Sequence, residues 1–435
     1  MSSAKEEKTE NHGALGAGLF ANRDFLRLFG AQLTSLIGSG VTSIALAAFA
    51  YELVGSDATV VVGTALTLRI LAFILLSPVA GVVADRIDRK RMLVAADLIR
   101  VGLLAAFPFI TTVGQIYVLI FVINAVTAFF TPTFEAVLPQ VVGLRQYTRA
   151  VSWSRVALAL EAALGPLLAG ILIATVGVRW TFWVDGATYL ASALLVLGAA
   201  VPRASRPSAP FPWGDFVPQI THGTKVLLRE PALRKALLLH FAEAVAGAIA
   251  IVTTIAYVRD VLQRGNVAFA IVMAAVGAGA AIVALLLPWR SERARAGATG
   301  RLAEHLSYHR WAERSMVAGG ALLVVALLPG MLVPGMLVLG FLWALNGAGQ
   351  ALIAIPSVGL LAEHTAPGER GRAYAAHFAL THLFWLGTYP LAGYLALAAG
   401  TPVTFTVAGA VCAALTLAAW TIRGPHRVHA LEAAG

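Results

Sequence analysis

Apolar residues fill the chain in runs of about twenty or more, separated by short polar stretches. A helix rises about 1.5 Å per residue, so about 20 apolar residues cross roughly 30 Å of hydrocarbon. Runs of that size predict membrane helices over 25–54, 58–84, 92–113, 115–138, 150–176, 180–200, 235–258, 266–289, 313–332, 334–362, 372–398 and 402–422. They are too long for barrel strands, and backbone amides cannot stay unpaired in lipid. The predicted fold class is therefore an all-α membrane protein of twelve transmembrane helices.

The stretch 201–218 (VPRASRPSAPFPWGDFVP) holds five prolines and interrupts the helical pattern. It divides the chain into an N-terminal tail (1–24), a six-helix bundle (25–200), a linker (201–234), a second six-helix bundle (235–422) and a C-terminal tail (423–435). The halves echo each other. Arg149 precedes Pro166 by 17 residues and Arg372 precedes Pro390 by 18, while Pro132 and Pro356 precede those arginines by 17 and 16. Matching breaks at matching depth point to an internal duplication, the architecture of a secondary transporter built from two pseudo-symmetric halves.

Composition narrows the class further. Of 435 residues 59% are hydrophobic and 12% charged, half the roughly 25% charge of a soluble domain. That excludes a soluble enzyme or a disordered chain. The net charge of +10 does not point to nucleic acid, because the cations sit in short runs between spans. They orient the protein instead. Arg86, Arg89, Lys90, Arg91, Arg145, Arg149, Arg370 and Arg372 fall on one side, and only Arg179, Arg259 and Arg264 on the other. Both termini are expected in the cytoplasm, with the chain multi-pass in the plasma (inner) membrane. The first residues, MSSAKEEKTENHG, lack the apolar core of a cleaved signal peptide. Cys412 is the only cysteine, so no disulfide framework or thiolate metal site is expected. No G-x-x-x-x-G-K-S/T loop is present, so ATP is not the expected energy source. No catalytic triad or paired-carboxylate site emerges, and no cofactor is implied. The expected partners are the bilayer, protons and a small ion or molecule, and the chain is read as a monomer.

Between spans 2 and 3 the sequence GVVADRIDRKR (81–91) supplies Gly81, Asp85, Arg86 and Arg89. This spacing resembles the G-x-x-x-D-R-x-x-R-K/R signature of the major facilitator superfamily. Gly81 would let helices approach, and Asp85 would cap a helix or pair with cations of the other half when the gate closes. Span 5 carries Gly165, Pro166 and Gly170 in GPLLAG, similar to a signature of exporting branches. Small residues there allow tight packing, and Pro166 removes a backbone bond and favours a bend. The segments QIYVLIF (115–121), FTPTFE (130–135), YTRAVS (147–152), YVRDVL (257–262), AHFALTH (376–382) and TYPLAG (388–393) resemble the nickel-resistance permeases of that superfamily, a group related to enterobactin and macrolide exporters. The resemblance implies a twelve-helix facilitator working by alternating access, with spans 1, 4, 7 and 10 lining the cavity.

Ionisable groups inside a span are costly and become functional candidates by default. Glu161, halfway along span 5, is the proton-coupling candidate, since a carboxyl group away from water is cheaper to bury protonated. His382 is a second. His377 and His382 on span 11 are the metal candidates, because imidazole suits Ni²⁺, Co²⁺ and Zn²⁺. Their spacing sets the rings about 140° apart on an ideal helix, so joint chelation needs a local bulge or bend. His240 and Glu243 share a face of span 7 and form a candidate cation-docking pair. Gln32, Asn124, Asn346 and Gln350 are the uncharged cavity candidates. Asp97 with Arg100 reads as an ion pair tied to the 2–3 loop, and Arg69 and Asp185 as links between helices. Segment 290–314 reads as a loop carrying a membrane-surface amphipathic helix, with His309 and Glu313 one turn apart. The function these features predict is proton-coupled export of divalent metal cations, nickel foremost. Efflux of amphipathic, macrolide-like drugs or siderophores is the alternative, and a transport-inactive sensor on the same fold is a third reading.

Overall fold

The structure, a computed structural model, describes residues 19–84, 87–201, 213–296, 301–365 and 370–422. Five elements make the first half: α1 (Arg23–Val54), α2 (Ala58–Ala84), α3 (Arg89–Ala106), the run Val113–Thr175, and α6 (Val178–Gly198). Val113–Thr175 is two helices, α4 (113–142) and α5 (144–175), because Gly143 takes φ 72 and ψ 159 between them. That left-handed φ has little steric cost for a residue without Cβ. A connecting helix, α7 (Trp213–Arg229), leads to the second half. There follow α8 (Pro231–Ala256), α9 (Asn266–Ala296), α10 (Arg301–Leu327), α11 (Met336–Glu363), α12 (Arg370–Ala399) and α13 (Thr401–Thr421). The protein is all-α, six membrane helices in each half, and among the described residues there is no strand.

Local chemistry sets the helix starts. Asn22 opens α1 by accepting from the amides of Asp24 and Phe25 at 3.0 and 3.1 Å. Asp88 accepts from the Arg91 amide at 3.0 Å to open α3. Thr112 and Gln115 form a reciprocal capping box at the start of α4.

Within Val113–Thr175 the residue with non-helical backbone angles is Gly143, and α5 has neighbours that exploit its small residues. Two expectations need correcting. The linker is not without helix, for Trp213–Arg229 forms α7, and a Cβ on Gly223 would collide with the Arg372 carbonyl of α12. Segment 290–314 is helical on both sides of 297–300, which lie outside the described residues: α9 continues to Ala296 and α10 begins at Arg301, so His309 and Glu313 belong to a spanning helix. Charged residues lowered the local hydropathy without breaking the helix.

Within the first half α1 packs on α6 and on the α4–α5 run, and α3 packs on α6. In the second, α11 packs on α9 and α10, and α8 on α12 and α13. The halves meet through α5 with α9 and α2 with α12. Close approach there needs small residues. A Cβ on Gly63 would lie 2.6 Å from the Tyr389 carbonyl, and one on Gly170 2.9 Å from the Cβ of Ala270.

The end of the bundle where α2 finishes and α3 starts is termed the basic end. At the opposite end the halves are clamped by polar contacts. Tyr51, on the last turn of α1, donates to the carboxylate of Asp260 in the π-helical turn Tyr257–Val261. The Arg259 guanidinium lies 4.8 Å over the Tyr51 ring, and Asn266 donates to Glu52 at 3.2 Å. Thr59, 1% exposed, donates to the Gly393 carbonyl at 3.3 Å. Tyr51→Phe is expected to loosen this end, raising maleimide labelling of a Thr59→Cys probe about threefold to tenfold, the equivalent of roughly one lost hydrogen bond. An unchanged labelling rate would mean that apolar packing alone holds the end shut.

Candidate transport pathway

The first half encloses a mid-height cavity of about 80 Å³ between α1, α2, α4 and α6. Its polar lining includes Ser39, Thr42, Arg69, Asn124, Asp185 and Tyr189, and its aliphatic walls include Leu46, Leu66 and Ile120. Asp185 is 1% exposed and lies about 10 Å into α6. It accepts from the Thr42 hydroxyl of α1 at 2.5 Å and from Thr188 at 3.2 Å. Ser39 and the Tyr189 hydroxyl are 2.8 Å apart. Two hydroxyl donors thus hold a carboxylate to which, among the described residues, no cation is bonded, a group costly to bury charged.

Glu161 stands beside this cavity on α5. A Cβ on Gly40 of α1 would lie 3.1 Å from Glu161 Cγ and 3.1 Å from the Gly165 Cα. Small residues therefore bring α1 and α5 together exactly where the carboxyl group sits at mid-height, which is what Gly165 does in the exporter-like motif. Pro166 and Gly170 are buried on the same helix. Arg69 of α2 lies within electrostatic reach of Glu161, and Glu161 of Asp185. Arg100 of α3 acts on Asp185 as well, so the interior charge system spreads over α2, α3, α5 and α6.

Asp97 and Arg100 do pair, at 3.2 Å and with side chains at most 3% exposed. Their other partners differ from the expectation. Ser192 of α6 donates to Asp97 at 2.7 Å, and the Arg100 guanidinium lies 4.5 Å from the centroids of both Phe130 and Tyr189. Among the described residues the pair is held by α4 and α6. Cation–π contact on two rings offsets part of the cost of burying it.

In the second half, His240 is 8% exposed and held from two sides: Nδ1 to Glu243 at 2.6 Å, Nε2 to the Ser357 hydroxyl at 2.9 Å. Its ring meets that of His377 edge-on at 4.8 Å. The pair from span 7 is thus an interior link to α11 and α12. His382 points elsewhere, its Nδ1 against the Phe378 carbonyl at 2.8 Å and its ring 3.8 Å from that of Phe378. On this geometry the rings of His377 and His382 take different neighbours, as their i, i+5 spacing dictates. Among the described residues no three His, Cys, Asp or Glu side chains converge on a metal position. Glu313 is engaged by Lys235 at 2.7 Å, with His309 at 3.6 Å.

The uncharged candidates separate. Asn124 lines the first-half cavity and donates to the Ile120 carbonyl at 2.7 Å. Gln32 accepts from Ser154 at 2.9 Å, joining α1 to α5. Asn346 is fully buried, donates to the Ala246 carbonyl at 3.3 Å and accepts from Gln350 at 2.6 Å. Of the gating motif, Gly81 lies in the last turn of α2 and Arg89 opens α3 buried at 8%. Asp85 and Arg86 lie outside the described residues.

The family model described as Major Facilitator Superfamily matches residues 28–303 and 296–434. The chain belongs to the major facilitator superfamily. It is therefore a multi-pass membrane protein of a transporter family. It is 29% identical over 199 residues to the uncharacterized MFS-type transporter YkuC of Bacillus subtilis, covering 45% of this chain and 46% of that one. It is 26% identical over 215 residues to macrolide efflux protein A of Streptococcus pyogenes, covering 48% and 52%. The chain spans about half the length of these curated relatives. Among solved facilitators, a bacterial homolog of the human lysosomal transporter Spinster, inward-facing and unoccupied, superposes with a TM-score of 0.71 at 14% identity, over 94% of this chain and 100% of that one. That likeness shows the fold.

Proposed function

We propose that this facilitator exports amphipathic organic compounds of the macrolide-like kind in exchange for protons. The observation that carries the reading is the mid-height cavity in which Asp185 stands with Arg69 among hydroxyl and aliphatic walls, with Glu161 beside it where α5 meets α1. A buried carboxylate beside aliphatic surface suits a cargo with a protonated amine on an apolar body, and it can carry a proton when that cargo is gone. The relative named for macrolide efflux supports the same cargo class. Divalent metal is the weaker reading, because imidazole or carboxylate ligands must converge and His377 and His382 do not.

In this account the basic end and both termini face the cytoplasm of a cell bounded by the plasma membrane. The Tyr51–Asp260 and Thr59–Gly393 contacts then close the outer mouth, and cargo loads from the cytoplasm or inner leaflet. Cargo binding displaces the proton from the carboxyl pair; rocking of the halves opens the outer mouth, and a proton from outside displaces the cargo. Expression in cells deprived of their own drug pumps should lower steady-state macrolide accumulation about threefold or more, with Asp185→Asn returning it to the empty-vector level, as expected for loss of an intramembrane charge. Unchanged macrolide levels together with lower nickel content would overturn the proposal in favour of metal export.

A further inference from the structure

α10 separates its charges between two flanks. On the flank facing its own bundle, Glu313 is bound by Lys235 of α8. On the other flank, a groove of about 690 Å³ between α9, α10 and α11 is lined by Ser307, Arg310, Trp311, Arg314 and Ser315, with Leu287 and Leu352 as apolar walls. Among the described residues no acidic side chain lines it, and Arg314 also borders the neighbouring cavity that holds Glu230 and Glu313. Arg310 and Arg314 are both exposed. Arg310 makes one hydrogen bond, from Nε to the Leu306 carbonyl at 3.3 Å, and among the described residues neither guanidinium has an ion-pair partner.

The two arginines lie in the first turns of α10 at the basic end, ahead of its uncharged apolar stretch. They stand one turn apart on one face, where like charges repel. α10 packs on α8, α9, α11 and α13, all in its own half, so the groove faces the bilayer rather than the path between halves. Two exposed guanidinium groups side by side at the membrane interface attract an anion. Trp311, whose ring lies 5.5 Å from that of Tyr308, adds an aromatic of the kind that anchors helices at headgroup level. A guanidinium fork matches phosphate oxygens in pairs, and two serines add neutral donors. Leu287 and Leu352 continue the groove into the hydrocarbon.

We propose that this groove binds an anionic phospholipid, its phosphate held by Arg310 and Arg314 with Ser307 and Ser315, and its acyl chains along Leu287 and Leu352. Charge complementarity selects the occupant: a zwitterionic lipid would bring a cation to a groove whose described lining offers it two guanidinium groups and no acid. The inference stands independently of the cargo.

The test is native mass spectrometry of the full-length detergent-purified protein, titrated in parallel with phosphatidylglycerol and phosphatidylcholine. Wild type should retain phosphatidylglycerol about tenfold better than phosphatidylcholine, and this preference should fall as salt rises. Arg310→Gln/Arg314→Gln should lose the preference, whereas Arg264→Gln, which removes a cation from the opposite end, should keep it. Equal retention of the two lipids by wild type, or a preference unmoved by salt, overturns the proposal even if the double variant fails to fold. So does full preference in the folded double variant. Displacement of the lipid by an equal concentration of glycerol phosphate also overturns it, by making the groove a site for free phosphate.

Discussion

Vesicles carrying Glu161→Gln are expected to show cargo-triggered proton movement at about a tenth of the wild-type rate or less, the loss expected when an intramembrane carboxyl can no longer change charge. The amide keeps the shape of the side chain beside Gly40, so α1 and α5 should still meet and the protein should still purify as a folded species. What it cannot do is alternate between a proton and a positive charge on the cargo. Asp185→Asn is expected to act in the same direction, since the amide oxygen can still accept from Thr42 and Thr188 while the titration is gone. Cargo binding in detergent separates the two functions: Glu161→Gln should retain it more fully than Asp185→Asn, whose carboxylate lines the cavity directly. Wild-type proton movement in Glu161→Gln would demote that residue to a partner for Arg69.

The second large effect is on folding. Gly165→Ala puts a methyl group 2.9 Å from the Gly40 Cα and 3.0 Å from its carbonyl carbon, and backbone cannot turn aside as a flexible side chain can. Gly387→Ala, on α12, meets nothing within 4 Å. Alanine gains about 1 kcal/mol over glycine in helix propensity, so Gly387→Ala should be neutral or slightly stabilising. At Gly165 the same gain is set against an overpacking cost of about 1–3 kcal/mol or more. The measurement is the thermal midpoint of each variant by fluorescence-detected size exclusion. A midpoint for Gly165→Ala several degrees below that of Gly387→Ala is the predicted order, and equal midpoints would refute the close packing of α1 on α5. The site would suffer too, because pushing α1 away from α5 moves Thr42 from Asp185.

Much of the fold is legible from hydropathy alone, because lipid penalises any unpaired backbone and leaves helices as the solution. The twelve apolar runs and the echo of Arg149–Pro166 in Arg372–Pro390 already describe two six-helix halves. What hydropathy blurs is continuity: Arg290, Arg293 and Arg295 made the end of α9 read as loop, although an arginine-rich helix can run on beyond the hydrocarbon. Rotation of each helix is the other missing quantity. Asp185 and Arg69 carry the same signal as Glu161, a charge inside an apolar run, yet were read as links between helices because nothing in one dimension says that α2, α5 and α6 turn those faces toward one cavity. His377 and His382 show the reverse. Their spacing of five already warned that one helix could not aim both rings at one ion, and the contacts to His240 and Phe378 bear that out.

Proton release in everted vesicles energised to an acid interior tests the central claim most directly. Addition of a macrolide should discharge the gradient in vesicles containing the protein and not in vesicles lacking it, while Ni²⁺, Co²⁺ and Zn²⁺ leave it intact. Discharge by a metal ion and not by any macrolide would contradict the account, and would return the search for ligands to His240, Glu243 and His377.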